Sequence, residues 1–446
     1  MYFLGIGGIG MSALARYFHA QDVCVSGYDR TKTALTEALQ NIGMDISYED
    51  DLRAVPENID LVVYTPAIPE NLGLYKHFSN SRLPFKKRAE VLGLISNSHF
   101  NIAIAGTHGK TSISTLTAHI FHEANKRCHA FVGGISKNYN SNWLRGNEDI
   151  AVVEADEFDA SFLHLSPNIA SVSTMDPDHL DIYGAADKLK IAFEKFVANL
   201  RPGGMLFKHV SCSLEGPEST YTYGVEEGDY RAENVHFNFD KNHRPQYSFD
   251  LNFKGDLLQD MRFHIAGMHN VENAVVASAI AYSQGISQGD IKKALGNYQG
   301  IKRRFEYHCT NKPVYIDDYA HHPTEIKAAL NAVKSLYPKA KITGVFQPHL
   351  YTRTRDFLDG FVEALSNLDH LILLDIYPAR ELPIEGVTSK LIYDKVKMPR
   401  KDLVSLEELV PFLDRQKDDL EVLISMGAGN IDKKVDLIKQ LLTNEG

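Results

Sequence analysis

The chain has 446 residues, room for about three domains of ordinary size, and 44% of them are hydrophobic and 23% charged. Such a composition excludes a miniature scaffold held by disulfides, general disorder and a fibrous repeat. Lys and Arg number 47 against 57 Asp and Glu, a formal net charge of −10, and the longest basic clusters, Lys86-Lys87-Arg88 and Lys302-Arg303-Arg304, are too short for a nucleic-acid track.

An anionic ligand must therefore be held by local devices, and the first stands at the start of the chain. Gly5-Ile6-Gly7-Gly8-Ile9-Gly10 satisfies G-x-G-x-x-G between an apolar strand and a helix-like stretch, 11–20. The second strand, 23–28, ends at Asp29, where an NAD enzyme would place its ribose-binding acid. The physics asks only for a glycine turn and a helix N-terminus that meet a diphosphate, and a UDP-sugar carries one as well. Taken singly, the motif leaves both ligands open.

A polar stretch, Ser96-Asn97-Ser98, suggests a boundary, and the strand 102–105 follows it. This strand runs into Gly106-Thr107-His108-Gly109-Lys110-Thr111-Ser112 and a helix to about Ala124, the context of a phosphate-binding loop. The usual pattern has a further glycine where this chain has Ile104, so the loop is a shortened form. The strand 150–153 then leads into Glu154-Ala155-Asp156-Glu157, and the strand 169–172 leads toward Asp176-Pro177-Asp178-His179. Mg²⁺ takes one or two protein ligands beside phosphate oxygens, and Thr111, Glu154 and His179 suffice.

Between 221 and 264 the texture changes to alternating segments, 230–239 and 246–253, expected to form an antiparallel β insertion. A second boundary is expected near 297–300, and beyond it the strands 313–316, 342–346, 371–374 and 422–425 alternate with helical stretches. Continuous apolar strands alternating with helices predict an α/β protein with parallel sheets covered on both faces. No apolar run approaches the roughly 18 residues of a membrane span, no basic leader precedes Met1, and Cys24, Cys128, Cys212 and Cys309 form no C-x-x-C pair, so a cytoplasmic protein with reduced thiols is expected.

Nearly the whole chain resembles the Mur ligase family. The resemblance rests on 5–13, 105–111, Glu154-Ala155-Asp156-Glu157 with Asp159-Ala160-Ser161, Asp178-His179-Leu180-Asp181, Gly267-Met268-His269-Asn270 with Asn273-Ala274, Lys302-Arg303-Arg304-Phe305, 317–324, and Phe346-Gln347-Pro348-His349 with Thr352-Arg353-Thr354-Arg355. It implies three domains: a Rossmann-like UDP-sugar domain at 1–97, a central P-loop ATPase-type α/β domain carrying the β insertion at 98–298, and a Rossmann-like domain at 299–446 that binds the amino acid and closes over the site. It also implies the activity: ATP activates the lactyl carboxylate of UDP-N-acetylmuramate as an acyl phosphate, and L-alanine attacks it, a step in peptidoglycan precursor synthesis.

By the same resemblance Gly7, Gly8, Ile9, Gly10 and Asp29 belong to the UDP-sugar. Gly106, Thr107, His108, Gly109, Lys110, Thr111 and Ser112 hold ATP, with Lys110 at the γ-phosphate and His108 also toward the sugar substrate. Thr111 and Glu154 hold one Mg²⁺ and His179 a second. His269, Asn270 and Asn273 lie near the nucleotide, Arg303 or Arg304 meets the phosphates, and Asp317 or Asp318 meets the ribose. His321 and Arg353 serve the incoming alanine, Arg353 by a bidentate grip on its carboxylate, and His321 is a candidate base. No nucleic acid or membrane partner is expected, and the chain is expected to be a monomer or a weak homodimer.

Two positions depart from the family pattern. Several siblings carry a carbamylated lysine some fifteen residues beyond the counterpart of His179, where this chain has Glu194, and some have an arginine where this chain has Leu350. Three rival readings are an NAD-dependent dehydrogenase, which leaves 105–112 unexplained, a recycling ligase that attaches a tripeptide to the same sugar, and a non-catalytic nucleotide-binding regulator.

Overall fold

The computed structural model describes residues 1–176, 186–379 and 381–443. The described strands form three sheets. Short apolar runs separated by glycine or acidic turns make the first, with β1 (Tyr2–Leu4), β2 (Ser26–Tyr28), β3 (Asp45–Ser47), β4 (Val62–Tyr64) and β5 (Phe85–Lys87) in the order β3-β2-β1-β4-β5. All pairs are parallel, and β1 lies between β2 and β4, so the chain reverses its winding at the end of β1. That point is where an open α/β sheet opens a crevice for a ligand. The helix Ile9–His19 follows and buries Met11 to Ala15.

The second sheet has ten strands: β6 (Phe100–Ala105), β7 (His129–Ser136), β8 (Ser141–Leu144), β9 (Ile150–Glu154), β10 (Ile169–Val172), β11 (Met205–His209), β12 (Thr220–Val225), β13 (Tyr230–Phe239), β14 (Pro245–Phe253) and β15 (Asp256–Phe263). Their order is β15-β14-β13-β12-β11-β10-β6-β9-β7-β8. β6 pairs in parallel with β9 and β10, with Ile104 opposite Glu154 and Ala105 opposite Val172. The ends of three strands therefore meet where the phosphate-binding loop begins. The expected antiparallel pairing is seen for β14 with β15, while β12, which precedes these segments, runs parallel to β11 and to β13. Alternation of apolar residues selects the buried face of a strand and carries no information about its neighbour's direction.

By compactness the chain divides into two units. One comprises Met1–His236, Tyr247–Phe263 and Met268–Gly300, and the other Phe237–Gln246, His264–Gly267 and Ile301–Gly446. The first two sheets share a core in which Phe3, Ile6 and Leu14 join Ala103, Val153 and Val172. Ser96 and Asn97 belong to the last turn of the helix Arg88–Asn97, and β6 opens three residues later.

The second unit holds β16 (Glu306–Cys309), β17 (Val314–Asp318), β18 (Ile342–Phe346), β19 (His370–Leu373), β20 (Lys401–Leu403) and β21 (Val422–Met426) in the order β16-β17-β21-β18-β19-β20. Only β16 pairs antiparallel among the described pairs of this sheet. Successive residues of its strands point to opposite faces, so Ile316, Ile424 and Phe346 enter one core and Tyr315, Leu423 and Val345 another. Both faces are covered, as continuous apolar strands require.

No disulfide forms among the described residues, and burial pushes the thiols of Cys128 and Cys212 up to about 12 and about 11. No described helix is long and apolar enough to cross a membrane.

His119, on the helix Lys110–Glu123, is fully buried between Tyr139 Oη at 2.9 Å and the Ala294 carbonyl at 3.1 Å. Burial lowers its pKa to about 4. The unfolded chain takes up this proton near pH 6.5 and the folded chain only near 4, so stability is intact above 6.5 and falls as pH drops between the two, by about 3 kcal/mol. Urea unfolding at pH 7.5 and 4.5 should show that loss, reduced in His119→Gln. An equal loss in both proteins would assign it elsewhere.

Candidate active site

The glycine loop after β1 turns through Gly5 at φ +86°. Gly8 is the N-cap of the helix Ile9–His19, and no side chain caps its first turn, which leaves the amides of Ile9 and Gly10 at a helix N-terminus suited to a diphosphate. Gly7 is required on space: a Cβ there would come within 2.6 Å of Thr36 Cγ2 and 2.8 Å of Asp29 Oδ2. Asp29 itself accepts from the Gly7 N–H at 2.8 Å and the Thr31 N–H at 3.1 Å. These two bonds hold its carboxylate against the glycine loop.

The phosphate-binding loop is clamped to the end of β10. Thr107 N–H donates to the Thr174 carbonyl at 3.0 Å, the two threonine hydroxyls are 2.8 Å apart, and His108 N–H donates to Thr174 Oγ1 at 2.9 Å. Gly106 and Gly109 both adopt positive φ, +125° and +84°. A Cβ on Gly106 would lie 2.8 Å from the Ser173 nitrogen, so the loop packs backbone to backbone. Gly109 then caps the helix Lys110–Glu123 without a side-chain bond, and Ser112 follows in its first turn.

Lys110 Nζ donates at 2.8 Å to the Gly106 carbonyl and at 2.8 Å to each carboxylate oxygen of Glu157. Burial works against its charge, but Glu157, Asp156 and Glu154 outweigh it and hold its pKa above the usual lysine value. The Thr111 hydroxyl donates to Glu154 Oε1 at 3.0 Å, and Glu154 Oε2 accepts from the Gly133 N–H at 2.7 Å. Burial and then Asp156 raise the Glu154 pKa against the pull of Lys110, so this carboxylate is short of positive charge.

A hydroxyl and a half-buried, under-compensated carboxylate are hard oxygen donors of the kind Mg²⁺ takes beside phosphates. The residues fit such an ion as a shared site. Among the described residues no group of three or more His, Cys, Asp or Glu could hold a metal by itself. His179 lies outside the described residues.

The helix Met268–Ser283 brings its asparagines to the same loop. A Cβ on Gly109 would sit 3.0 Å from Asn273 Oδ1, Asn273 donates to Asn270 Oδ1 at 3.1 Å, and Asn270 lies 3.1 Å from His269 Nε2. Glu194 is exposed on the helix Ala186–Ala198, 4.0 Å from Lys190. Two residues of this unit escaped the sequence reading. Arg88 would meet any Cβ on Gly10 and reaches Asp156 at 3.3 Å, linking the first glycine loop to the segment after β9. Its signal was its place at the end of a basic cluster. Glu157, fully buried on Lys110, had only its motif as a signal.

In the second unit, Arg303 Nε donates to Asp317 at 2.9 Å and its terminal nitrogen to the Gly427 carbonyl at 2.6 Å. Asp317 is fully buried and also accepts from Ser425 Oγ at 2.6 Å. These two members of the paired alternatives are committed to one another. Asp318, partly exposed, accepts from the N–H groups of Phe305 and Ala320 at 2.7 Å each. Burial raises its pKa to about 6 against the pull of Arg304, whose guanidinium lies over the Tyr319 ring.

His321 Nδ1 is 3.0 Å from the Tyr319 carbonyl, which fixes the proton on Nδ1 and leaves Nε2 as the acceptor. Burial lowers its pKa, opposed by Glu325 and assisted by Arg353. Arg353 sits on the short helix Tyr351–Asp356. Leu350 enters that helix at φ +70°, a strained value for a branched side chain, held by its N–H on the Tyr377 carbonyl at 3.0 Å. Glu381 accepts from the Thr352 N–H at 3.1 Å and also from its hydroxyl.

Sequence models of the Mur ligase family match almost end to end: the catalytic domain at residues 1–100, the middle domain at 104–281 and the glutamate ligase domain at 303–429. A UDP-N-acetylmuramate-L-alanine ligase of Flavobacterium johnsoniae is 46% identical over 447 residues, covering 99% of this chain and 97% of the relative. The crystal structure of a UDP-N-acetylmuramate-alanine ligase from Thermotoga maritima superposes with a TM-score of 0.84 at 26% identity, over 100% of this chain and 99% of that one. A murein peptide ligase from Psychrobacter arcticus shares the fold at a TM-score of 0.72 and 22% identity, over 99% and 98% of the two chains. With its two glycine loops, its buried lysine and its full-length likeness to these proteins, the chain belongs to the Mur ligase family.

Proposed function

We propose that the chain is an ATP-dependent ligase that joins L-alanine to the lactyl carboxylate of UDP-N-acetylmuramate. The observation that carries the reading is the 46% identity, over essentially the full length of both chains, to a ligase of that name. In this reading 1–97 takes the UDP-sugar, 98–298 the nucleotide and 299–446 the amino acid. The enzyme works in the cytoplasm, as a monomer or weak dimer.

A carboxylate is a poor acyl donor, and phosphorylation gives it a leaving group. The chain's own part is placement and charge. The amides of 106–110 and the Lys110 ammonium cradle the terminal phosphates, and Asn270 and Asn273 face the same loop. Mg²⁺ held by Thr111 and Glu154 supplies further positive charge to those oxygens when bound, and His179 is the candidate for a second ion. Arg303 and Asp317 neutralise each other, so Arg304 is the member assigned to phosphate and Asp318 the one assigned to ribose. Arg353 grips the alanine carboxylate, and the unprotonated Nε2 of His321 accepts the amine proton.

The dehydrogenase reading leaves the phosphate-binding loop, with Lys110 held at its end, without a task. Phosphate release with ATP, Mg²⁺ and UDP-N-acetylmuramate, with each amino acid and a tripeptide added in turn, tests the proposal. Release is expected with L-alanine. Release only with the tripeptide would transfer the chain to the recycling reaction, and none at all would leave a nucleotide-binding regulator.

A further inference from the structure

The Lys110 ammonium carries three N–H donors and no acceptor. Three oxygens stand at 2.8 Å from it, one from Gly106 and both of the Glu157 carboxylate, so the ammonium is already held by a backbone carbonyl and a buried anion before a nucleotide arrives. Glu157 is fully buried and Lys110 nearly so, at 13% exposure. A terminal phosphate that bonds this lysine must share it with the Glu157 carboxylate or displace that carboxylate. Displacement of Glu157 oxygen also sets a buried carboxylate against an incoming anion, with Glu154 and Asp156 nearby and Arg88 on Asp156.

We infer that Glu157 is a positioning residue that holds the Lys110 ammonium in the empty loop and yields it to the terminal phosphate of a nucleoside triphosphate. It thereby weakens ground-state binding of the triphosphate while keeping the lysine fixed for transfer, and it recaptures the lysine when the phosphate departs. An interaction that opposes the bound ground state, and is relieved as negative charge drains from the transferred group toward its leaving oxygen, raises the catalytic rate at the expense of affinity. The inference rests on the reading of 106–112 as a triphosphate site.

Glu157→Gln keeps the shape and removes the charge. Equilibrium titration with Mg²⁺ and a β,γ-methylene ATP analogue, and separately with ADP, measures the effect without turnover. The analogue should bind about tenfold more tightly to the variant, one charge-assisted hydrogen bond's worth, and ADP should change less than about threefold. The catalytic rate constant should fall while the apparent KM for ATP falls with it. In the nucleotide-free protein Lys110 should also become more reactive toward a small amine-acylating reagent, read by mass spectrometry. Glu157→Asp, with the carboxylate drawn back, should move each quantity in the same direction by less, and it decides the matter if the glutamine variant does not fold.

A residue that only braces the fold would lower the melting temperature and weaken both nucleotides together, and that result overturns the inference, as does unchanged analogue affinity. Failure of the wild-type chain to bind either nucleotide would instead remove the nucleotide-site reading itself.

Discussion

Lys110→Ala is expected to lower ATP-dependent phosphate release by about a thousandfold or more, the scale of removing a fixed positive charge from a phosphoryl-transfer site. Affinity for UDP-N-acetylmuramate should stay within about threefold, because the diphosphate is served by a different helix N-terminus, that of Ile9–His19. The prediction follows from where the ammonium is held, at the mouth of a loop whose glycines sit at positive φ. One complication is physical. Alanine leaves the fully buried Glu157 without its cation, which costs about 3–5 kcal/mol of stability. The double variant Lys110→Ala, Glu157→Gln removes the orphaned charge, so it should regain thermal stability and remain inactive. Turnover near the wild-type rate in either variant, measured as phosphate release alongside equilibrium binding of the UDP-sugar, would remove Lys110 from the chemistry.

The phosphate-binding loop was legible because its chemistry is local. Gly106, Gly109, Lys110 and Thr111 lie within six residues, and a strand and a helix flank them. The alternation of apolar strands and helices gave the α/β class for the same reason, since burial on both faces leaves a mark in each strand. What escaped the reading depends on side-chain direction or long-range pairing. Asp29 sits where a ribose acid would, yet its carboxylate turns back onto Gly7. The pairs Arg303 or Arg304 and Asp317 or Asp318 were indistinguishable as neighbours in sequence. Strand pleating sends Asp317 into the sheet toward Ser425 and leaves Asp318 partly exposed. The motif 154–157 shows no task for Glu157, because its contact with Lys110 spans 47 positions. The parallel course of β12 has the same origin: alternation sets a face and not a direction.

Arg353→Ala is expected to raise the KM for L-alanine by about a hundredfold, the loss of two charge-assisted hydrogen bonds, with the KM for ATP within about twofold. The argument starts from the backbone. Leu350 at φ +70° and Glu381 on Thr352 fix both the entry and the first turn of Tyr351–Asp356, so the arginine is presented from a restrained helix and not from a loose loop. Its positive charge acts on His321, where it adds to burial in keeping the imidazole neutral, so the two residues proposed to serve the amino acid influence one another. Leu350 supplies no second cation beside it, so in the proposed reading most of the selectivity for an α-carboxylate falls to Arg353. Arg353→Lys keeps the charge but loses the planar fork, and it should recover only about tenfold of the loss. Initial rates with alanine and ATP varied separately check the split. If both constants rose together, the arginine would be stabilising the fold of its unit, and alanine would have to be held by another group.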